Sequence, residues 1–259
     1  MEVRNRKTLI IGTGPAGLGA ADYALSQQMD YEILESAPTP FGHCKSFSLP
    51  SHPDIWFDEG PHISFTKNKQ VQDIFAKSAP DFLNLKPLIE NYWRETYIPH
   101  PVQANLRSIP EPYLSEIVAD IPRRPNIDNP TNYGDWLRTA FGDKFKSLFH
   151  EVYTQKYWTV PSQQMTVDWI GERVYRPQAE AMLRTATTED FKPSSHYITD
   201  FRYPRAGGFQ SFLKKTMKAH QEKTHFNSKV VQISPSKKQV ITDDGRVWNY
   251  DVLLSSLPS

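Results

Sequence analysis

Three glycines, Gly12, Gly14 and Gly17, stand at G-x-G-x-x-G spacing behind a short apolar run and ahead of a stretch of small residues. The spacing suits a diphosphate. Gly12 allows a tight turn, Gly14 lets backbone approach a pyrophosphate without an intervening Cβ, and Gly17 permits close packing of helix on strand. Pro15 and Ala16 fill the first helical turn, where proline's missing donor costs nothing and free amides with a positive dipole end face an anion. Glu35, 23 residues beyond Gly12, has the offset of an acid that accepts a ribose hydroxyl. NAD and FAD share this fingerprint, so the glycines alone do not choose between them.

The elements that must hold these residues are readable on either side. Thr8–Ile11 predicts a buried parallel strand, Leu18–Gln28 a helix, and Tyr31–Leu34 a second strand ending on Glu35. An NAD domain would continue its strand–helix alternation from there. Instead the pattern turns irregular from about Phe41 to Pro204, with short helical stretches at 71–77, 133–141 and 145–153 between proline-rich loops. Regularity returns with a helix expected over 210–222 and strands over 225–233, 239–243 and 247–250. Asp244-Gly245 reads as a hairpin turn, and Asp251–Leu257 as a strand suited to the first sheet.

Other residues invite chemical readings. His62 follows the rigid Gly60-Pro61 bend and is either a proton-relaying imidazole or a structural histidine at a strand start. Asp58 is readable as a general base, but a turn-forming Asp before Glu-Gly is preferred. Tyr153, Tyr157, Trp158 and Trp169, with Arg173 and Arg176 nearby, are either a pocket wall for an anionic or nucleotide-sugar substrate or the core of an irregular domain. The latter is favoured. Arg205-Ala206-Gly207-Gly208 is a candidate for contact with a planar cofactor ring, because paired glycines let backbone come close.

Bulk properties exclude several classes. Thirty Lys and Arg against 29 Asp and Glu leave no basic stripe for nucleic acid. The lone Cys44 has no disulfide partner and fits a reducing cytoplasm. The scattered histidines make no metal-ligand spacing, and no metal is expected. The opening residues lack a signal-peptide pattern, no stretch approaches a membrane span, and G-x-S-x-G and Walker A motifs are missing.

The glycine motif with Ala21 and Glu35, Phe41-Gly42-His43, DEGPH at 58–62, YWTVPSQQMTVDWIGERV at 157–174, YPRAGGFQSFL at 203–213 and NSKVVQI at 227–233 carry a resemblance. In that order they resemble the flavin amine oxidoreductase superfamily, which includes protoporphyrinogen oxidase-like enzymes, amine oxidases and UDP-galactopyranose mutases. The resemblance implies an α/β fold: a Rossmann-like FAD-binding domain of the glutathione reductase type, 1–60 with 205–259, and an inserted, mainly helical substrate domain, 61–204. It implies FAD, with Gly12, Gly14, Pro15, Ala16 and Gly17 at the pyrophosphate and Glu35 at the adenosine ribose. Gly42 and His43 would lie along the pyrophosphate and ribityl chain, Gly60, Pro61 and His62 under the isoalloxazine, and Val230 would meet the adenine through its backbone. His62 is the catalytic candidate, near the flavin N5–O4 edge.

One position departs from the superfamily, which has Gly-Gly where this chain has Phe41-Gly42; a phenylalanine resists positive φ, so that loop is expected to run differently. The activity implied first is hydride transfer from a small-molecule substrate to flavin N5. A UDP-sugar mutase, with reduced flavin as covalent carrier, is the runner-up, favoured by GPHI and YIPHPVQANL; a non-catalytic or split-enzyme fragment is third. Superfamily members continue beyond a segment like DVLLSSLPS, so this sequence is expected to be an N-terminal portion. A natural short product, a broken reading frame and an incomplete record all stay open, a C-terminal partner polypeptide is one way the fold would be completed, and the chain alone is expected to hold FAD weakly and to associate.

Overall fold

The computed structural model describes residues 7–171, 174–188 and 200–257. The chain opens with β1 (Thr8–Ile11), α1 (Pro15–Ser26) and β2 (Tyr31–Leu34), followed by a hairpin of β3 (Ser46–Leu49) and β4 (His52–Asp58). Then come α2 (Lys69–Ser78), β5 (Phe82–Leu85), β6 (Glu90–Trp93), β7 (Thr96–Pro99), α3 (Tyr113–Asp120) and α4 (Tyr133–Phe141). A short α5 (Asp143–Phe145) passes through a π-helical turn at Lys146–His150 into α6 (Glu151–Trp158), and α7 (Ala179–Thr187) follows. The remaining elements are β8 (Phe201–Pro204), α8 (Lys214–His220), β9 (Thr224–His225), β10 (Val230–Ser234), β11 (Gln239–Thr242), β12 (Val247–Asn249) and β13 (Val252–Ser255).

Two compact units result, Met1–Leu85 with Asp200–Ser259, and Lys86–Thr199. The first carries a parallel sheet in the order β13-β1-β2-β9. Its central strand is buried on both faces, as the apolar run requires. Ile10 packs with Ala21, Ala24 and Ile33 beneath α1, while Leu9 and Ile11 pack with Leu34 and Val240 on the opposite side. A separate antiparallel sheet, β10-β11-β12, belongs to the same unit. The second unit is mainly helical, with Leu106, Ile117, Leu137, Phe141, Phe145 and Met182 in its core. Among the described residues no helix is long and apolar enough to cross a membrane.

Residues 61–85 and 200–204, expected in the insertion, lie in the first unit. The reason is packing: β5 pairs antiparallel with β8, and Phe75, Ala79 and Phe82 join the cluster around Phe209 and Phe212. Two expected elements are also divided. The strand over 225–233 breaks at Asn227, which takes φ +51°, so β9 completes the parallel sheet and β10 starts the antiparallel one. The helix over 210–222 is a 3-10 turn (Phe209–Phe212), then α8, then a second 3-10 turn.

Candidate functional site

The turn from β1 into α1 has the geometry of a close-approach anion site. Gly12 takes φ +96°, and a Cβ there would strike the Ser256 hydroxyl. At Gly17 a Cβ would collide with the Gly12 carbonyl. Gly14 has no atom within 4 Å of its absent Cβ, which leaves open space on the side where a ligand would approach. Gly14 caps α1 without a side-chain acceptor, Pro15 occupies the first turn, and Pro15 and Ala16 are exposed. Among the described residues no side-chain hydrogen bond caps the first-turn amides. A dinucleotide diphosphate fits this cradle.

Glu35 lies at the end of β2, 7% exposed. Its Oε2 accepts the Thr13 amide at 2.9 Å and the Thr13 hydroxyl, and its Oε1 accepts the Ala37 amide at 2.9 Å and the Ser36 hydroxyl at 3.3 Å. Burial pushes this carboxyl's pKa up, but the hydrogen bonds outweigh it and hold the pKa below the ordinary glutamate value. The Ser228 amide donates to the Glu35 carbonyl, which brings the start of β10, and so Val230, to the same corner.

The Phe41-Gly42 turn sits on the glycine motif. The Phe41 amide donates to the Thr13 carbonyl at 3.2 Å, and a Cβ on Gly42 would lie 3.5 Å from the Gly14 Cα. Phe41 takes φ +88° despite its side chain, the left-handed conformation that a phenylalanine resists. Its ring is the compensation, buried among Leu18, Phe209, Phe212 and Met217. His43 projects into solvent, its Nδ1 3.6 Å from the Glu59 carboxylate. Cys44 is buried, and burial, with the Asp58 charge, raises its thiol pKa; it is a packing residue.

Gly60, Pro61 and His62 follow β4. They are tied to the 42–45 turn by the Glu59 amide on the Lys45 carbonyl and by the Lys45–Glu59 ion pair at 3.0 Å. The His62 ring packs on Phe209 with centroids 5.4 Å apart, and its Nδ1 lies 3.1 Å from the Gly60 carbonyl. A carbonyl only accepts, so in this contact the imidazole Nδ1 is the donor.

Asp58 is no mere turn residue. Its Oδ1 accepts the Ser46 hydroxyl at 2.6 Å and the Phe209 amide at 3.0 Å, and its Oδ2 accepts the Tyr203 hydroxyl at 2.7 Å. These bonds lock the Gly207-Gly208 loop onto the hairpin. The face of Gly208, expected to meet a planar ring, is filled by Ser46 and Asp58.

In the helical unit the aromatic group divides. Trp169 packs against the core, whereas Tyr153, Tyr157 and Trp158 are 58%, 64% and 47% exposed along α6. Tyr153 and Tyr157 stack with centroids 5.4 Å apart. Glu151 fixes the next segment by accepting from the Ser162 amide and hydroxyl while pairing with Lys146 at 2.9 Å. Arg176 lies over the Trp136 ring at 5.6 Å, and Arg173 lies outside the described residues.

Sequence reasoning missed Thr13, Ser256 and the Asp58–Tyr203 pair. Thr13 had a signal, being the variable residue inside the glycine motif. Ser256 had none: its hydroxyl and amide both donate to the Ile11 carbonyl from 245 positions away.

Residues 10–78 match the family model of NAD(P)-binding Rossmann-like domains. Across 98% of its length the chain is similar to a solved reduced UDP-galactopyranose mutase, at 26% identity and TM-score 0.90, covering 55% of that chain. It shares the fold of a proposed protoporphyrinogen oxidase from Exiguobacterium (16% identity, TM-score 0.66, covering 98% of this chain and 59% of that one). It also shares that of a putrescine oxidase variant redesigned in cofactor binding (13%, TM-score 0.57, covering 98% and 58%). The chain thus spans a little over half the length of these structures. With a Rossmann-type dinucleotide cradle and this likeness to flavoenzymes, the chain has the α/β fold of the flavin amine oxidoreductase superfamily.

Proposed function

We propose that this chain binds FAD and takes part in nucleotide-sugar chemistry of the UDP-galactopyranose mutase kind. The observation that carries this reading is the TM-score of 0.90 at 26% identity to the mutase, against 0.66 and 0.57 for the two oxidase-type structures. It reverses the order of the two activities expected from sequence. The exposed aromatic face of α6 supports it, since Tyr153, Tyr157 and Trp158 offer stacking area suited to a planar base.

In this reading Gly12, Gly14, Pro15, Ala16 and Gly17 hold the cofactor's pyrophosphate against the uncapped end of α1, and Glu35 faces its ribose. Gly42 and His43 flank the pyrophosphate and ribityl chain, Gly60, Pro61 and His62 lie under the ring system, and the Val230 backbone meets the adenine. Flavin, when bound, supplies either a hydride acceptor at N5 or, reduced, a nucleophile toward the sugar. His62 donates from Nδ1 to the Gly60 carbonyl, which turns Nε2 toward the ring edge, where it would relay a proton. Phe209 packs against that imidazole on one side.

The second reading, an amine-oxidase or protoporphyrinogen oxidase-like oxidoreductase, rests on the shared fold. One experiment separates the two. The purified chain, loaded with FAD, is assayed for interconversion of UDP-galactopyranose with and without dithionite, and for flavin bleaching by amines and porphyrinogens. Sugar conversion only after reduction supports the mutase reading. Bleaching by an amine or porphyrinogen without sugar conversion overturns it in favour of the oxidase.

A further inference from the structure

The parallel sheet reverses its order at β1: the chain passes from β1 to β2 on one side and later sets β13 on the other. In an open parallel sheet the ligand crevice lies at the carboxyl ends of the two strands flanking such a reversal. Here one end is Ile11, running into the glycine turn, and the other is Ser255, followed by the exposed Ser256. Ser256 joins the two ends. Its amide and its hydroxyl both donate to the Ile11 carbonyl, at 3.0 and 2.7 Å. The amide of the same peptide unit, on Gly12, donates to the Leu34 carbonyl at 2.8 Å. The peptide that opens the turn is thus held from both neighbouring strands. The Ser256 hydroxyl also fills the place where a Cβ on residue 12 would stand, and it lies 3.5 Å from where one on residue 17 would be.

We propose that Ser256 is a positioning residue for the diphosphate turn, its hydroxyl pinning the Ile11 carbonyl so that Gly12 keeps the positive φ from which α1 starts. The inference rests on the reading of that turn as a FAD site and adds a residue that the glycine motif does not contain. Glycine takes either sign of φ with similar ease, so the +96° at Gly12 is set by what holds its peptide from outside. The Ser256 amide bond continues the strand pairing. The hydroxyl is the additional tie, and it acts on the turn whose free first-turn amides would meet the diphosphate.

The test measures FAD and ADP affinity of the folded wild-type chain, Ser256→Ala and Ser256→Thr by titration calorimetry, beside their urea midpoints. Ser256→Ala removes the hydroxyl and leaves the amide bond; it should bind both ligands about fivefold more weakly. Ser256→Thr keeps the hydroxyl and should restore the affinity. A residue that only packs would move the midpoint and leave the affinity of the folded protein unchanged. A second measurement needs no ligand. Gly12→Ala drives a methyl into the Ser256 hydroxyl, whereas the Ser256 Cβ stands 3.8 Å away, at ordinary contact. The midpoint lost through Gly12→Ala should therefore be smaller in the Ser256→Ala background. An equal loss in both backgrounds overturns the proposal; should Gly12→Ala fold in neither, the affinities decide alone. A wild-type chain that binds both ligands while its alanine variant binds them equally well overturns the positioning role and leaves the cofactor reading standing. A threonine variant as weak as alanine overturns that role too. A wild-type chain that binds neither FAD nor ADP overturns it together with the cofactor reading.

Discussion

The Tyr203 hydroxyl donates to Asp58 Oδ2 at 2.7 Å and so fastens β8 to the end of β4. The other oxygen of Asp58 holds the Phe209 amide and the Ser46 hydroxyl, and Phe209 backs the His62 ring. A single carboxylate therefore organises the segment that supports the candidate catalytic histidine.

Tyr203→Phe removes one bond to a charged acceptor and should lower stability by about 1.5 kcal/mol. Asp58→Ala strands the Phe209 amide as well and should cost roughly twice that. Urea midpoints at neutral pH measure both. If the alanine variant unfolds at the wild-type midpoint, the hub has no energetic meaning. Burial and the Asp58 carboxylate also push the Tyr203 phenol above its ordinary pKa. A raised phenol pKa means that the folded chain keeps its proton where the unfolded chain loses it. The contribution is complete below about pH 10 and fades as pH rises beyond it.

The helical unit carries a titration of opposite sense. His150 stacks on Phe141 with centroids 4.3 Å apart, and its Nδ1 is buried with no partner among the described residues. Burial, with His100 nearby, lowers its pKa from 6.5 to about 3. The unfolded chain takes up a proton that the folded chain refuses. Stability should therefore be full above about pH 6.5 and fall toward pH 3 by at most about 1.4 kcal/mol per pH unit. His150→Leu removes the orphan nitrogen. It should change neutral-pH stability by less than about 1 kcal/mol while flattening the acid slope. Denaturation curves of both proteins across that range decide the matter; parallel slopes would remove His150 from the explanation.

What the sequence made legible was local. Gly12, Gly14, Gly17 and Glu35 reveal themselves because the turn, the helix start and the strand end lie within one βαβ-like stretch and each residue type has a local physical reason. The Asp58–Tyr203 bond joins positions 145 apart, and no local pattern marks an aspartate as its acceptor. The break at Asn227 was hidden for another reason: the run around it is apolar enough for one strand, and only a left-handed residue divides it between two sheets. The aromatics of 153–169 looked alike in sequence because composition does not say which ring finds the core. Trp169, beyond the end of α6, packs on it, and Tyr153 and Tyr157 stack on each other at the exposed side of the helix.

Phe41 yields an unusual stability order. Its φ of +88° costs a residue with a Cβ roughly 1 to 2 kcal/mol. Its ring is 7% exposed, and losing a buried phenylalanine costs about 3 to 5 kcal/mol. Phe41→Gly forfeits the ring but relieves the backbone; Phe41→Ala forfeits the ring and keeps the strain. Both variants should be less stable than wild type, and glycine should exceed alanine by about 1 kcal/mol, the reverse of the usual order. Thermal unfolding of the two variants side by side tests this, and alanine as the more stable one would show that the turn relaxes out of the left-handed region.

The exposed face of α6 separates substrate chemistry from packing. Tyr157 is 64% exposed, and Tyr157→Ala removes little buried surface, so stability should change by about 0.5 kcal/mol or less. If the ring stacks a nucleotide base, the same change should raise the KM for a UDP-sugar about tenfold, since base–aromatic stacking is worth roughly 1 to 3 kcal/mol, with a smaller effect on kcat. Tyr157→Phe retains the ring and should retain the KM. Steady-state kinetics of the flavin-loaded chain with its reductant, read beside the unfolding midpoint, distinguishes the outcomes: an unchanged KM in the alanine variant would leave the stacked pair of Tyr153 and Tyr157 as a surface feature with no hold on the substrate.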